Sequence, residues 1–160
     1  MTWGNPPKFI NVDKPPAKKI TPEDLAKSGS EDGNQMALFA WAAANIVQYP
    51  QLKWLFAIPN GGSRHIAEAT KMVATGLRKG VPDVMLPADA PKYPPESEIW
   101  YHGCFIEMKT EKRRKQKNGG LEDDQIEWIE ALQKAGYYCK VCYNWIEAKE
   151  TLIAYLEGKI

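Results

Sequence analysis

The sequence predicts a single α/β domain with a mixed central sheet flanked by helices. Segments with helical periodicity alternate with short apolar segments typical of strands, in the order α-β-α-β-β-α-β-α. The chain has 160 residues, of which 44% are hydrophobic. A chain of this size can bury one core without disulfides or a structural metal.

Residues 1–30 are predicted to form a proline-rich, basic arm, followed by the domain over 31–160. Proline pairs at 6–7 and 15–16 disfavour regular structure. The segment Thr21-Pro22-Glu23-Asp24 has the pattern of a helix N-terminus, so a short helix should interrupt the arm. The basic residues of the arm are Lys8, Lys14, Lys18 and Lys19.

Eight segments of the domain have the periodicity of regular elements, and a proline-rich loop is predicted over 87–103. The predicted helices cover 31–48, 65–78, 121–135 and 146–156, and the predicted strands cover 54–58, 83–86, 104–109 and 137–143. The expected buried stripe of the first helix consists of Met36, Phe39, Ala40, Ala43, Ile46 and Val47.

Composition argues against several classes of protein. No apolar run approaches the roughly 18–20 residues that span a bilayer, and the first residues lack the apolar region of a secretory signal. Three cysteines, an odd number, argue against a disulfide framework and for a reducing compartment. We therefore expect a soluble cytoplasmic protein that makes no contact with a membrane.

A basic cluster occupies residues 109–117, although the formal net charge of the chain is only +1. Such a cluster on a near-neutral chain is typical of a confined surface that binds a polyanion, but a solvated loop would have the same composition. Against one acid, Glu111, the segment has six basic residues, Lys109, Lys112, Arg113, Arg114, Lys115 and Lys117.

Two charged residues interrupt a strand that otherwise has the composition of a core strand. Strand alternation puts Glu107 and Lys109 on the face opposite to Cys104, Ile106 and Met108. Isolated buried charges are costly. The pair is therefore either exposed at the end of the strand or part of a functional site.

Asp83 begins the preceding strand and could meet Glu107 if the two strands are neighbours. Two carboxylates and a backbone carbonyl, that of Met108, suit Mg²⁺, and a lysine such as Lys109 could then orient or deprotonate an attacking water. Alternatively, Asp83 only stabilises the turn after Pro82.

Two further polar residues could belong to the same site. Gln125 takes a place in the apolar stripe of a helix, where it either bonds a neighbouring backbone group or reaches Glu107 and Lys109. Glu31 begins the first long helix, where an acid also suits the helix dipole. Zinc is disfavoured, because Cys139 and Cys142 lie three apart on a strand with no turn between them.

Taken in order, these motifs resemble the PD-(D/E)xK nuclease superfamily, which has a restriction-endonuclease-like core. The closer resemblance is to its VRR-NUC branch, in the stand-alone form common in phages, from about residue 31 to 156. The motifs that carry it are Ile58-Pro59-Asn60-Gly61-Gly62, Gly80-Val81-Pro82-Asp83, Phe105-Ile106-Glu107-Met108-Lys109, Asp124-Gln125-Ile126-Glu127-Trp128 and Ala135-Gly136-Tyr137.

The resemblance implies a role for each site residue. Asp83, Glu107 and the carbonyl of Met108 would bind the metal. Lys109 would be the catalytic lysine, and Asn60 would lie in a tight loop beside the site. The remaining catalytic residues would be Gln125 and Glu31. The basic cluster itself, and not the resemblance, predicts the other DNA contacts, which are Lys112, Arg113, Arg114, Lys115 and Lys117.

The function implied is that of a Mg²⁺-dependent deoxyribonuclease, with Mn²⁺ as a substitute. Members of this branch resemble Holliday-junction resolvases, so branched DNA and a homodimer are expected. If the chain is phage-encoded, its compartment would be the cytoplasm of the bacterial host. Two alternatives stay open, namely a non-catalytic DNA-binding module on the same fold and a nuclease directed to flaps or ends.

Overall fold

A mixed four-stranded sheet lies at the centre of the protein, as predicted. The structure is a computed structural model that describes residues 20–59, 71–91 and 100–160. Its strands, which are neighbours in chain order, are β1 (Phe56–Ala57), β2 (Val84–Leu86), β3 (Cys104–Met108) and β4 (Tyr138–Cys142). The β1–β2 and β2–β3 pairs are antiparallel, and the β3–β4 pair is parallel.

Helices flank this sheet, and one of them makes the crossover that a parallel pair of strands requires. They are α1 (Pro22–Ala26), α2 (Glu31–Ala44), α3 (Asp123–Lys134) and α4 (Trp145–Leu156), with α3 lying between β3 and β4. The short helix predicted in the arm is confirmed as α1, where the Thr21 hydroxyl accepts a hydrogen bond from the Asp24 amide at 3.2 Å. The rest of the arm, residues 1–19, lies outside the described residues.

The core lies between one face of the sheet and the helices α2 and α4. Cys104, Ile106 and Met108 of β3 all point into it, as strand alternation predicts. From the two helices the core receives Ala37, Leu38, Ala42, Trp145, Ala148, Leu152, Tyr155 and Leu156. Glu107 and Lys109 therefore lie on the face of the sheet opposite to this core.

In the described ranges, no helix is long and apolar enough to cross a bilayer.

The predicted buried face of α2 is only partly correct: Phe39 and Ile46 pack against the core without being fully buried, and other members of the stripe are exposed. Met36 is 52% exposed and Val47 is 98% exposed, and the helix ends at Ala44 instead of residue 48. The residues of α2 that are buried are Gly33, Asn34, Ala37, Leu38 and Ala42. This buried stripe also has helical spacing. Because it contains the polar Asn34, the pattern of apolar side chains alone predicts a different face.

Asn34 is buried because it connects α2 to the first turn of α4. Its side-chain oxygen accepts a hydrogen bond from the Trp145 amide at 3.0 Å, and its side-chain nitrogen donates to the Ser30 carbonyl at 2.9 Å. The amide of Trp145 belongs to the first helical turn and has no partner within its own helix. Asn34 therefore satisfies a buried donor that no apolar side chain could satisfy.

Two other predicted elements differ from the structure. The predicted strand over 54–58 is shortened to Phe56–Ala57, because Pro50–Trp54 form a 3₁₀ helix. Of the predicted helix over 65–78, the part up to residue 70 lies outside the described residues, and 71–74 are helical. The helix ends at Ala74, and Gly76, with a φ of 107°, takes the chain out of the helical conformation.

We expect Asn34→Ala to lower the free energy of unfolding by about 1–3 kcal/mol, because it leaves the buried amide of Trp145 without an acceptor. Chemical denaturation monitored by tryptophan fluorescence would measure the change. Met36→Ala, an exposed position on the same helix, is the matched control and should change stability little. Equal effects of the two substitutions would contradict the role of Asn34.

Candidate active site

One cavity collects all of the predicted catalytic residues. It has a volume of about 450 Å³ and opens beside the ends of β2 and β3. The predicted residues that line it are Glu31, Asp83, Glu107, Lys109 and Gln125. They come from separate parts of the chain, namely the start of α2, the two strand ends and the first turn of α3. The three-dimensional structure thus brings together what the sequence shows only as isolated anomalies.

The pairing of β2 with β3 brings Asp83 next to Glu107. Val84 is paired with Ile106 in antiparallel register, so the residue before Val84 lies level with the residue after Ile106. Asp83 Oδ2 accepts a hydrogen bond from the Met108 backbone amide at 2.8 Å. The condition for the two carboxylates to meet, that their strands are neighbours, is therefore fulfilled. The metal-binding role of the Met108 carbonyl stays a prediction.

The loop that leads to Asp83 is docked on the first turn of α3. Gly80 has a φ of +87°, and a Cβ at this position would lie 2.7 Å from backbone atoms of Asp124. Lys79 Nζ lies 2.9 Å from a carboxylate oxygen of Glu122 and 3.0 Å from one of Asp124. The Trp128 indole also donates to the Lys79 carbonyl at 3.0 Å. Sequence analysis missed this contact, and its only signal was the glycine.

Glu107 and Lys109 form a buried ion pair. Lys109 Nζ lies 2.8 Å from Glu107 Oε1, and the two side chains are 8% and 2% exposed. The alternative of an exposed pair at a strand end is therefore wrong. The attraction within a buried ion pair offsets the free energy of desolvation only when further hydrogen bonds satisfy the remaining polar atoms of the pair. The groups around Glu107 therefore decide whether both of its carboxylate oxygens are satisfied.

Gln125 makes both of the contacts that its sequence position allowed. Its Nε2 donates to Glu107 Oε1 at 2.5 Å, and its Oε1 accepts from the Glu122 backbone amide at 3.0 Å. The second bond orients the amide group, so that the nitrogen faces the carboxylate. A glutamine suits this position because one end of its side chain accepts and the other donates.

The second oxygen of Glu107 is the anomaly of the site. Oε2 is buried and has no hydrogen-bond partner within the described part of the chain. Burial, the negative charge of Asp83 and, least of all, that of Glu31 together raise the pKa of Glu107 to about 7, against the opposing effect of Lys109. Native proteins rarely leave a buried polar atom unsatisfied, and a bound cation would satisfy this one.

The donor set fits a hydrated Mg²⁺ better than a fully protein-bound metal. Across residues 20–59, 71–91 and 100–160, no group of three or more His, Cys, Asp and Glu side chains could hold a metal by itself. Mg²⁺ usually keeps several waters and binds one or two carboxylates. The unpartnered oxygen of Glu107 beside Asp83 matches this requirement.

Cys104, Cys139 and Cys142 are free cysteines, and burial raises the pKa of each.

The basic residues that follow β3 differ in their surroundings. Arg113 lines the cavity, and Arg114 forms ion pairs with Glu111 and Glu147. All of the predicted DNA-contacting residues of this segment are exposed, namely Lys112, Arg113, Arg114, Lys115 and Lys117. Exposure is consistent both with DNA contacts and with a solvated loop. Asn60 lies outside the described residues.

Comparison with known proteins gives one family and one fold. The sequence profile of the VRR-NUC domain matches residues 31–145. A solved VRR_NUC domain protein is similar in structure, with a TM-score of 0.60 and 23% sequence identity over 81% of this chain and 89% of the other. Comparison with curated proteins yields no significant match. All five cavity residues described above fall within the matched span.

We expect Glu107→Gln to raise the free energy of unfolding near pH 8, in the presence of a chelator, by on the order of 2 kcal/mol. The pKa of Glu107 is about 7 in the folded protein against an ordinary value of 4.5. The folded state therefore binds a proton that the unfolded state does not, so the wild type loses stability as the pH rises from about 5 to 8.

Because the amide does not titrate, this substitution should remove that part of the pH dependence and change stability little near pH 5. Denaturant titrations at several pH values would measure it. Glu150→Gln, at an exposed acid, is the control. If both variants kept the same pH dependence, a raised pKa of Glu107 could not be its cause.

Proposed function

Because the chain belongs to the VRR-NUC domain family, whose members are nucleases, we propose that it is a Mg²⁺-dependent deoxyribonuclease that hydrolyses phosphodiester bonds. The observation that carries this proposal is the buried second oxygen of Glu107, which has no hydrogen-bond partner among the described residues and lies in a cavity shared with Asp83 and Lys109. A non-catalytic module would gain nothing from this costly arrangement, which favours the enzyme over that alternative.

The metal would be held by Asp83, Glu107 and the carbonyl of Met108. When bound, Mg²⁺ supplies positive charge for the phosphate and makes a coordinated water easier to deprotonate. Mn²⁺ takes the same oxygen ligands and should substitute. A cation at this position would also relieve the electrostatic repulsion that Asp83 and Glu31 exert on Glu107.

The chain's own residues would divide the remaining work. Lys109 is held 2.8 Å from Glu107 Oε1, from where its ammonium group orients the attacking water and offsets charge that develops on the phosphate. Gln125 keeps Glu107 Oε1 occupied, so that Oε2 is the oxygen available to the metal. Glu31, the first residue of α2, would bind a water of the metal's hydration shell.

DNA would lie across the exposed basic segment of residues 112–117, where Lys112, Arg113, Lys115 and Lys117 can neutralise backbone phosphates without reading sequence. Asn60 would add a contact beside the site. We further propose selectivity for branched DNA, based on the resemblance to stand-alone members of the family. A homodimer would present two active sites to a two-fold symmetric junction, and two-fold dimers are the most common oligomers.

Lys109→Met and Glu107→Ala should each reduce cleavage of DNA by about 10³-fold or more, because each removes a group that acts on the reacting phosphate or its metal. Binding of DNA should change little. Gel assays with Mg²⁺, Mn²⁺ or a chelator would measure cleavage, with Lys134→Gln, an exposed lysine outside the cavity, as control. Cleavage that persists in the chelator would rule out the metal-dependent mechanism.

A four-way junction should be cut faster than a flap or a linear duplex of the same length and sequence. Sedimentation of the protein alone and with the junction would show whether two copies bind one branched molecule. Faster cleavage of the flap would favour the flap-directed alternative. Equal rates on all three substrates would refute structure selectivity while leaving the nuclease activity intact.

A further inference from the structure

The cavity is strongly acidic, and two of its three cations are already paired. Six acids line it against Lys79, Lys109 and Arg113. Lys79 is bound to Glu122 and Asp124, and Lys109 is bound to Glu107. Arg113 has no carboxylate within ion-pair distance in the described part of the chain, although it lines the same cavity. It is thus the cation of the cavity that is available for an incoming anion.

The backbone and the stem of Arg113 are nevertheless held in place. Its amide donates to the Thr110 carbonyl at 2.9 Å, and its carbonyl accepts from the Gln116 amide at 2.9 Å. The buried Gly120, with a φ of +81°, lies against the stem. A Cβ at position 120 would be 2.6 Å from Arg113 Cβ and 2.9 Å from Cδ. The side chain is therefore packed near its base, while its guanidinium group has no ion-pair partner among the residues that the structure describes.

Arg114 has the opposite environment. Its Nε and Nη2 donate to the two carboxylate oxygens of Glu111 at 2.9 and 3.0 Å, and Nη2 also donates to Glu147. Its guanidinium lies 4.2 Å from the centroid of the Tyr143 ring. Arg114 and the Asn144 side chain lower the pKa of Glu111 to about 2. These contacts join the basic segment to the first turn of α4.

We propose that Arg113 binds the phosphodiester that enters the cavity, and that the adjacent Arg114 is a structural residue that makes no contact with DNA. This inference rests on the proposed function and deepens it, because it separates two neighbouring arginines that composition treats alike. A phosphate approaching this cavity meets an excess of negative charge. A planar guanidinium at the rim can offset this charge and bind two phosphate oxygens at once.

The test compares lysine and glutamine substitutions at both arginines. A lysine can still bind a phosphate as a point charge, but it cannot replace a bidentate, ring-stacked arginine. For Arg113→Gln we expect the slope of log affinity against log salt to fall by about 0.9, the value of one phosphate contact. Arg113→Lys should restore that slope. Arg114→Lys and Arg114→Gln should both lower the melting temperature and leave the slope unchanged.

Affinity is measured with a four-way DNA junction in a chelator over a range of KCl concentrations, so that the result does not depend on catalysis. Lys134→Gln is again the control. In Mg²⁺, at saturating DNA, Arg113→Gln should lower the cleavage rate by about 10²-fold. An unchanged slope for Arg113→Gln, or a reduced slope with normal melting for Arg114→Lys, would overturn the inference. If the wild type cleaves no DNA, the proposed function fails, whereas the slopes still decide the role of Arg113.

Discussion

The desolvated carboxylate of Glu107 is the group on which the rest of the site depends. Its charge is disfavoured by burial and by Asp83 and Glu31, and it is favoured by Lys109. A buried charge of this kind is tolerable only when its polar atoms are bonded. Oε1 receives hydrogen bonds from both Lys109 and Gln125, so the energetic cost is concentrated on Oε2. The fold thus maintains a locally unfavourable group that a cation from solution would stabilise.

Helix α3 gives this arrangement its geometry. Its first turn carries Gln125, which orients Glu107, and it also receives the loop of Lys79 and Gly80 that leads to Asp83. Asp83 is then bonded to the backbone of β3 itself. The two carboxylates are therefore positioned by the same helix and the same strand. This coupling explains how carboxylates far apart in the chain can keep the fixed separation that a shared metal would require.

Neighbouring residues of identical chemistry can have different tasks when their surroundings differ. Arg114 donates hydrogen bonds to Glu111 and Glu147. Arg113 lines the acidic cavity and has no such carboxylate partner in the described ranges. A similar distinction applies to α2, where the polar Asn34 is buried and the apolar Met36 is exposed. In both cases the partner supplied by another segment decides the role, and not the residue type.

The sequence by itself determined the order of the elements and marked most of the polar residues that line the cavity, because strand alternation and helical period are local properties. It identified Asp83, Glu107, Lys109 and Gln125 as polar residues in apolar surroundings. Only the tertiary structure decided that the Glu107–Lys109 pair is buried, that α2 turns its Asn34 face to the core and that Gly80 packs on α3. Burial and pairing depend on segments that are distant in sequence, and no local pattern encodes which of them come into contact.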